Sequence, residues 1–348
     1  MKRLMLEKRL IFSRIALLGT LLSELALLAT PARADSVEDF YRGKTVDVFI
    51  GVNVGGGYDL EARLIAQFMG RHLPGHPTFV PQNMVGAGGI SMANYLYSVA
   101  PKDGTSLGMF PNTLIALQAV GGAGVRYDAN QFVWLGTLST SPITLVAWHS
   151  VGVKDIADIR AKKITVAASA HGAITYTFPY LANVTLGTNL DIVTGYQGTS
   201  QMNLAMQRGE VDAVVNSWSS WKSIDPEWVE DKDIVVLLQG NPKAPDLPGV
   251  PSISELVTNP DDKALVDFVL GGDELDKPLG LTPGVPADRV NAMRAAYAAT
   301  LADPDFLAAA AQARVEIAPV FGDRLQALVA RILATPKRIT DKAKAIIE

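Results

Sequence analysis

From Asp35 onward, apolar residues alternate between two periods. Thr45–Val52 is rich in Val, Ile and Phe at every second position, which predicts a strand. Gly55, Gly56 and Gly57 interrupt it. Asp59–Met69 then carries Leu60, Leu64, Ile65 and Phe68 at helical spacing. Pro74, Gly75 and Pro77 end that helix, and Thr78–Pro81 predicts a short strand. A second glycine run, Gly86-Ala87-Gly88-Gly89, precedes a predicted helix over Ile90–Val99. Thr105–Phe110 is strand-like again. The unit of strand, glycine loop and helix thus occurs twice within 65 residues.

The same grammar resumes near Leu145. Ile164–Ala168 reads as a strand before Ser169-Ala170-His171-Gly172, with a helix over Tyr176–Leu186. Leu190–Thr194 is a strand before Gly195-Tyr196-Gln197-Gly198. Ser200–Arg208 is a helix closed by Gly209, and Ala213–Val215 another strand. Asn241–Pro251 holds four prolines and a glycine, so it predicts a loop or crossover. Pro286–Asp303 and Asp305–Gln312 are Ala-rich helices. Arg324–Ile347 is a helix interrupted at Pro336. Strands alternating with helices predict α/β architecture with parallel sheets. Two lobes are expected, with the C-terminal part returning to the first.

The 48% hydrophobic share and ordinary Gly and Pro counts exclude disordered and collagen-like classes. Zero cysteines exclude disulfides, thiolate metal sites and cysteine nucleophiles. The first 34 residues differ from the rest. Lys2, Arg3, Lys8, Arg9 and Arg14 precede an apolar stretch, Ile15–Leu28, broken by Ser23 and Glu24, and Ala32-Arg33-Ala34 follows. That order is a cleavable export signal, and the stretch is short of the ~20 apolar residues of a membrane span. The expected exported chain begins at Asp35 and carries net charge −8. Its acidity argues against nucleic acid as a partner.

A glycine loop between strand and helix turns several backbone N–H groups toward one point. The positive end of the helix dipole adds to them, so such a loop suits an anion, phosphate or carboxylate. The phosphate fingerprints fail. The first run reads G-x-G-x-x-Leu60, the second places Ser91 at that position, and Gly43-Lys44-Thr45 has Glu38 where a P-loop begins. Both runs sit at carboxyl ends of predicted strands, where open α/β sheets bind ligands. Reactive constellations are thin. His72 and His76 have metal-like spacing but flank Pro74-Gly75, and neither a G-x-S-x-G elbow nor an H-E-x-x-H helix is present. No metal or cofactor is expected. Trp218, Trp221 and Trp228 fit core packing better than a ligand wall.

Gly55-Gly56-Gly57-Tyr58-Asp59 with Ala62-Arg63 resembles the "GGGTD…AR" segment of the tripartite tricarboxylate transporter receptors, the TctC/Bug family. Gln82–Gly89 resembles that family's "ENRPGAGG", Ala100–Gly104 its "A-P-D-G", Gly195–Gly198 its "PYKG", and Gly209–Asp212 its "GQVD". Pro283–Pro286 and Leu301–Pro304 resemble "P-x-G-x-P" and "ADP". The motifs run in order over residues 40–335.

The resemblance implies a type II periplasmic-binding-protein fold, two α/β lobes closing on a ligand cleft. The expected boundaries are a signal over 1–34, lobe 1 from 35–139 plus 233–348, and lobe 2 from 140–232. It further implies that Gly56, Gly57, Tyr58, Asp59, Gly86, Ala87, Gly88 and Gly89 hold a carboxylate through backbone amides and bridging waters. From lobe 2 it implies contacts by Ser169, His171, Tyr196, Gln197 and Gly198. Gln197 stands where the family has Lys or Arg, and Ser169–Ala173 departs from "SGxGS". The implied protein is a periplasmic, monomeric, non-enzymatic receptor that delivers a small organic carboxylate to the membrane permease subunits of a tripartite tricarboxylate-type transporter. A receptor presenting its ligand to a sensor kinase, or a periplasmic enzyme on a similar fold, are the alternatives.

Overall fold

The computed structural model describes residues 36–271 and 275–347; the expected export signal lies outside the described residues. Along the chain the strands are β1 (Thr45–Ile50), β2 (Thr78–Asn83), β3 (Ser106–Met109), β4 (Val133–Thr137), β5 (Ile143–Trp148) and β6 (Ile164–Ala167). Then come β7 (Leu190–Val193), β8 (Ala213–Ser217), β9 (Ile234–Gln239), β10 (Leu279–Leu281) and β11 (Val320–Phe321). They form two sheets, ordered β11-β4-β10-β3-β1-β2 and β7-β6-β8-β5-β9. Helices pack on each sheet, giving the two α/β lobes expected from the sequence.

Both sheets are mixed instead of purely parallel. In the first, β1 runs parallel to β2 and β3, while β10 is antiparallel to β3 and β4. In the second, β6 runs parallel to β7 and β8, while β5 is antiparallel to β8 and β9. Of the reversed strands, β5 and β10 follow the two points where the chain passes from one sheet to the other, whereas β11, antiparallel to β4, stays within its sheet. A strand delivered by such a crossing enters from the opposite end. The return also comes later than position 233, because β9 pairs with β5 from Thr144↔Gln239 to Trp148↔Ile234.

The cores follow the predicted periods. Val46, Val48 and Ile50 share one face of β1 and are buried against Ile65, Phe68 and Met69 of the helix Gly57–Met69. Trp218, Trp221 and Trp228 are buried with Met202, Met206 and Val214, as core residues should be. A third cluster joins the lobes, with Leu114 and Leu117 from the first sheet's helices, Phe178 and Leu181 from the second's, and Val266, Val329 and Ile346 from the C-terminal helices. The C-terminal helix Lys337–Ile347 packs on the helices Pro260–Val269, Thr113–Ala119 and Ile174–Leu186.

Candidate functional site

Carboxyl ends of β1, β2 and β3 from one lobe, and of β6, β7 and β8 from the other, converge on a cavity of about 300 Å³. Gly56, Gly57, Tyr58, Gly86, Ala87 and Gly88 line its lobe 1 wall. Ser169, Tyr196, Gln197 and Gly198 line its lobe 2 wall. The lobes meet at the rim, where Ser200 Oγ donates to the Gly55 carbonyl at 3.0 Å.

The lobe 1 wall is built from backbone. Gly56 precedes the helix Gly57–Met69 and no side chain caps that end. The first N–H groups of a helix have no acceptor within it, so those of Gly57 and Tyr58 are left to face the cavity. Gly86–Gly89 adds a tight turn in which Gly88 has φ of 63°, and a Cβ on Gly88 would meet nothing within 4 Å. Gly57 is required for another reason. A Cβ there would lie 2.2 Å from Ser220 Oγ and 2.9 Å from Lys277 Cε.

Three expected contacts lie elsewhere. Asp59 is buried behind the loop, where its carboxylate accepts from Gly55 N at 3.1 Å, Arg63 Nε at 3.0 Å and Asn83 Nδ2 at 3.0 Å. Burial opposes its charge, yet these hydrogen bonds hold its carboxyl below the usual range. Asp59 therefore fixes the loop and leaves the ligand surface to the backbone. Gly89 packs against Pro111 as the cap of the helix Ile90–Ser98. His171 turns away to lie against the Tyr176 ring, with centroids 4.2 Å apart and the planes tilted by 46°, in a smaller cavity shared with Leu114 and Ile347.

Other lining residues were missed. Asn53, Asn112 and Thr113 follow β1 and β3, and Thr175, Thr199, Met202 and Asn216 complete the lobe 2 wall. A signal existed for Asn112 and Thr113: they follow Thr105–Phe110, a predicted strand, at the end where α/β sheets bind. Asn216 carried the same signal, since it directly follows the predicted strand Ala213–Val215.

Directly behind this wall lies a buried ionic cluster. Lys277 Nζ is 3.1 Å from Glu61 Oε1, 2.5 Å from Asp276 Oδ2 and 3.1 Å from Ser219 Oγ. Burial pushes the Glu61 carboxyl up to about 7 against the pull of Lys277, and burial likewise raises Asp276. Burial works against the Lys277 charge, but Asp276 and Glu61 together raise its pKa above the ordinary lysine value. The cluster ties the helix Gly57–Met69 to the crossover before β10 and to the helix Trp218–Ile224.

No family model matches the chain. One curated relative, the "UPF0065 protein in the TAR-I ttuE-ttuC' intergenic region" of Agrobacterium vitis, is 26% identical over 181 residues. The match covers 50% of this chain and 51% of that protein, so the chain spans about half the length of the curated relative it matches. Among solved structures, the periplasmic binding protein BugD superposes with a TM-score of 0.69 at 20% identity, over 88% of this chain and 98% of that one. MatC from Rhodopseudomonas palustris with bound malate gives 0.67 at 21% identity, covering 85% and 99%. An R. palustris protein solved with adipate gives 0.67 at 21%, covering 87% and 97%. The chain has the fold of these TctC/Bug-type binding proteins, in agreement with the resemblance read from its motifs.

Proposed function

We propose that this chain is an exported solute-binding protein of the TctC/Bug type that captures a small organic carboxylate and hands it to the permease of a tripartite tricarboxylate-type transporter. The observation that carries this reading is the lobe 1 wall. Gly56, Gly57, Tyr58, Ala87 and Gly88 have no hydrogen-bond acceptor for their N–H groups among the described residues, and all five line one cavity between two lobes. Amide dipoles fixed in advance hold a carboxylate without a cationic side chain. The bound malate and adipate of two structures with this fold support the same ligand chemistry. Closure of the second lobe then covers the ligand, and the Ser200–Gly55 contact at the rim suits that role.

The test is calorimetry with a panel of mono-, di- and aromatic carboxylates against the neutral amides of the same acids. The expected result is saturable binding of at least one carboxylate and none of its amide, with the bound acid recovered chemically unchanged. Failure of every carboxylate to bind would overturn the reading, and turnover of a bound acid would replace it with an enzymatic one.

A further inference from the structure

We infer that Asn216 determines specificity at the far end of the ligand: its side-chain NH2 takes an oxygen there, so the site selects an acid with a second oxygen-bearing group over one that ends in hydrocarbon. The inference rests on the carboxylate reading above and assigns the residue that reads the other end.

Asn216 is held firmly. It lies near the carboxyl end of β8, which is flanked by β6 and β5 in the middle of its sheet. Its carbonyl accepts from Thr144 Oγ1 at 2.9 Å, and that hydroxyl accepts in turn from Trp221 Nε1 at 3.1 Å. The side chain is fixed as well. Oδ1 accepts from Ser217 N at 3.0 Å. Only the oxygen of the amide can accept that bond, so the NH2 group is left for another partner. Nδ2 is buried and meets no acceptor among the described residues. Of the described residues with such an unpaired atom, Asn216 is the one that lines the cavity.

The surrounding wall adds donors of the same kind. The helices Ile174–Leu186 and Thr199–Gln207 begin without a side-chain cap, and the first N–H groups of a helix have no acceptor inside it. Ile174, Thr175 and Thr199 line the cavity. The described lining residues include no lysine, arginine or histidine, so the donors of this wall are neutral. A buried donor left without a partner is penalised by its lost hydration. An oxygen on the ligand satisfies the Asn216 NH2, whereas a methyl group or ring edge displaces water and leaves it unpaired. A site built in this way rejects the analogue that lacks the oxygen. An amide carbonyl and a carboxylate share this chemistry.

Calorimetry on acids of one skeleton tests the assignment. Each series has a hydrocarbon end, a monoamide and a diacid: hexanoate, adipamate and adipate; butyrate, succinamate and succinate; 4-methylbenzoate, 4-carbamoylbenzoate and terephthalate. The same comparison is run on any acid of the wider panel that binds. An oxygen-ended member is expected to bind at least about tenfold more tightly than its hydrocarbon-ended partner. Preference for either the monoamide or the diacid supports the inference, and their order distinguishes a neutral carbonyl from a carboxylate. The preference is then measured in Asn216→Ala, which removes the NH2 and adds no charge, and in Asn216→Asp, which keeps an acceptor for Ser217 N. In whichever variant melts like the parent, the ratio of oxygen-ended to hydrocarbon-ended affinity is expected to fall at least about tenfold. A general loss of structure would weaken both ligands and leave that ratio in place. An unchanged ratio, or a parent that binds the hydrocarbon-ended acid as tightly, overturns the inference while leaving the carboxylate reading intact. Absence of binding by every carboxylate overturns both.

Discussion

The wall of the cavity and the layer immediately behind it are opposites. The wall has no charged side chain among the described residues, whereas a lysine and two carboxylates are packed together behind it, all nearly inaccessible to water. Gly57 and Tyr58 stand between the two: Lys277 Cε lies 2.9 Å from where a Gly57 Cβ would stand, and its Nζ sits 6.0 Å from the Tyr58 ring centroid. The difference teaches where charge is useful in this fold. Behind the wall it holds three chain segments in one geometry. On the wall the same geometry is expressed as aimed amides, which attract an anion without competing charges of their own.

The largest expected effect comes from breaking the hidden layer. Lys277→Met leaves Glu61 and Asp276 facing each other without a cation, and removing one partner of a buried ionic group costs about 3–5 kcal/mol. Chemical denaturation of the variant is expected to show a loss of that size at pH 8. A loss under about 1 kcal/mol would mean that the cluster behaves like a surface ion pair and does not set the geometry of the wall.

Next in size is an attack on the wall itself. Gly88→Val places a branched side chain in a turn with φ of 63°, beside the amides that receive the anion. Carboxylate affinity is expected to fall at least about tenfold, equivalent to about 1.4 kcal/mol. Because the backbone strain also lowers stability, Gly88→Asn is the companion variant, since asparagine tolerates that φ. It should fold nearly as well as the parent and still bind more weakly, because its side chain occupies space the ligand uses. Undiminished binding in a folded Gly88→Asn protein would remove this turn from the site.

The third effect is read as a change of slope. The Glu61 carboxyl is raised from 4.5 to about 7, so between those values the folded chain binds more protons than the unfolded one. Its contribution therefore favours folding below about pH 4.5 and is lost as pH rises toward 7. Glu61→Gln removes this titration, and its stability relative to the parent should rise as pH goes from 4.5 to 7. A difference between the two that stays flat over this range would show that Glu61 keeps its ordinary acidity. Of the three positions only Gly88 lines the cavity, so binding and stability should separate.

Much of this arrangement was legible in the chain itself. Period-two spacing, short apolar runs and helical spacing located β1, β2, β3, β6, β7 and β8 and the helices after the glycine runs, because burial of one or both faces leaves a mark in local order. Glycine between strand and helix marked the loops that line the cavity, since close approach and positive φ are requirements of the loop and not of its partners. The sequence also placed Ser169, Tyr196, Gln197 and Gly198 on the second wall. Other features depended on contacts between segments far apart. The reversed strands β5 and β10 are set by the route between sheets, which local spacing does not encode. Asp59 is a brace because Asn83, brought in from β2, bonds it together with Arg63, and His171 lies against Tyr176 in a second cavity that the C-terminal helix helps to line. Lys277, one lysine among many in the sequence, gains its meaning only when folding brings Glu61 to it across more than two hundred residues. Local patterning determines which residues form strands, loops and helices. Which charges are buried together, and which amides remain free to bind, is decided when the two lobes pack, because both depend on the loss of water at a shared surface.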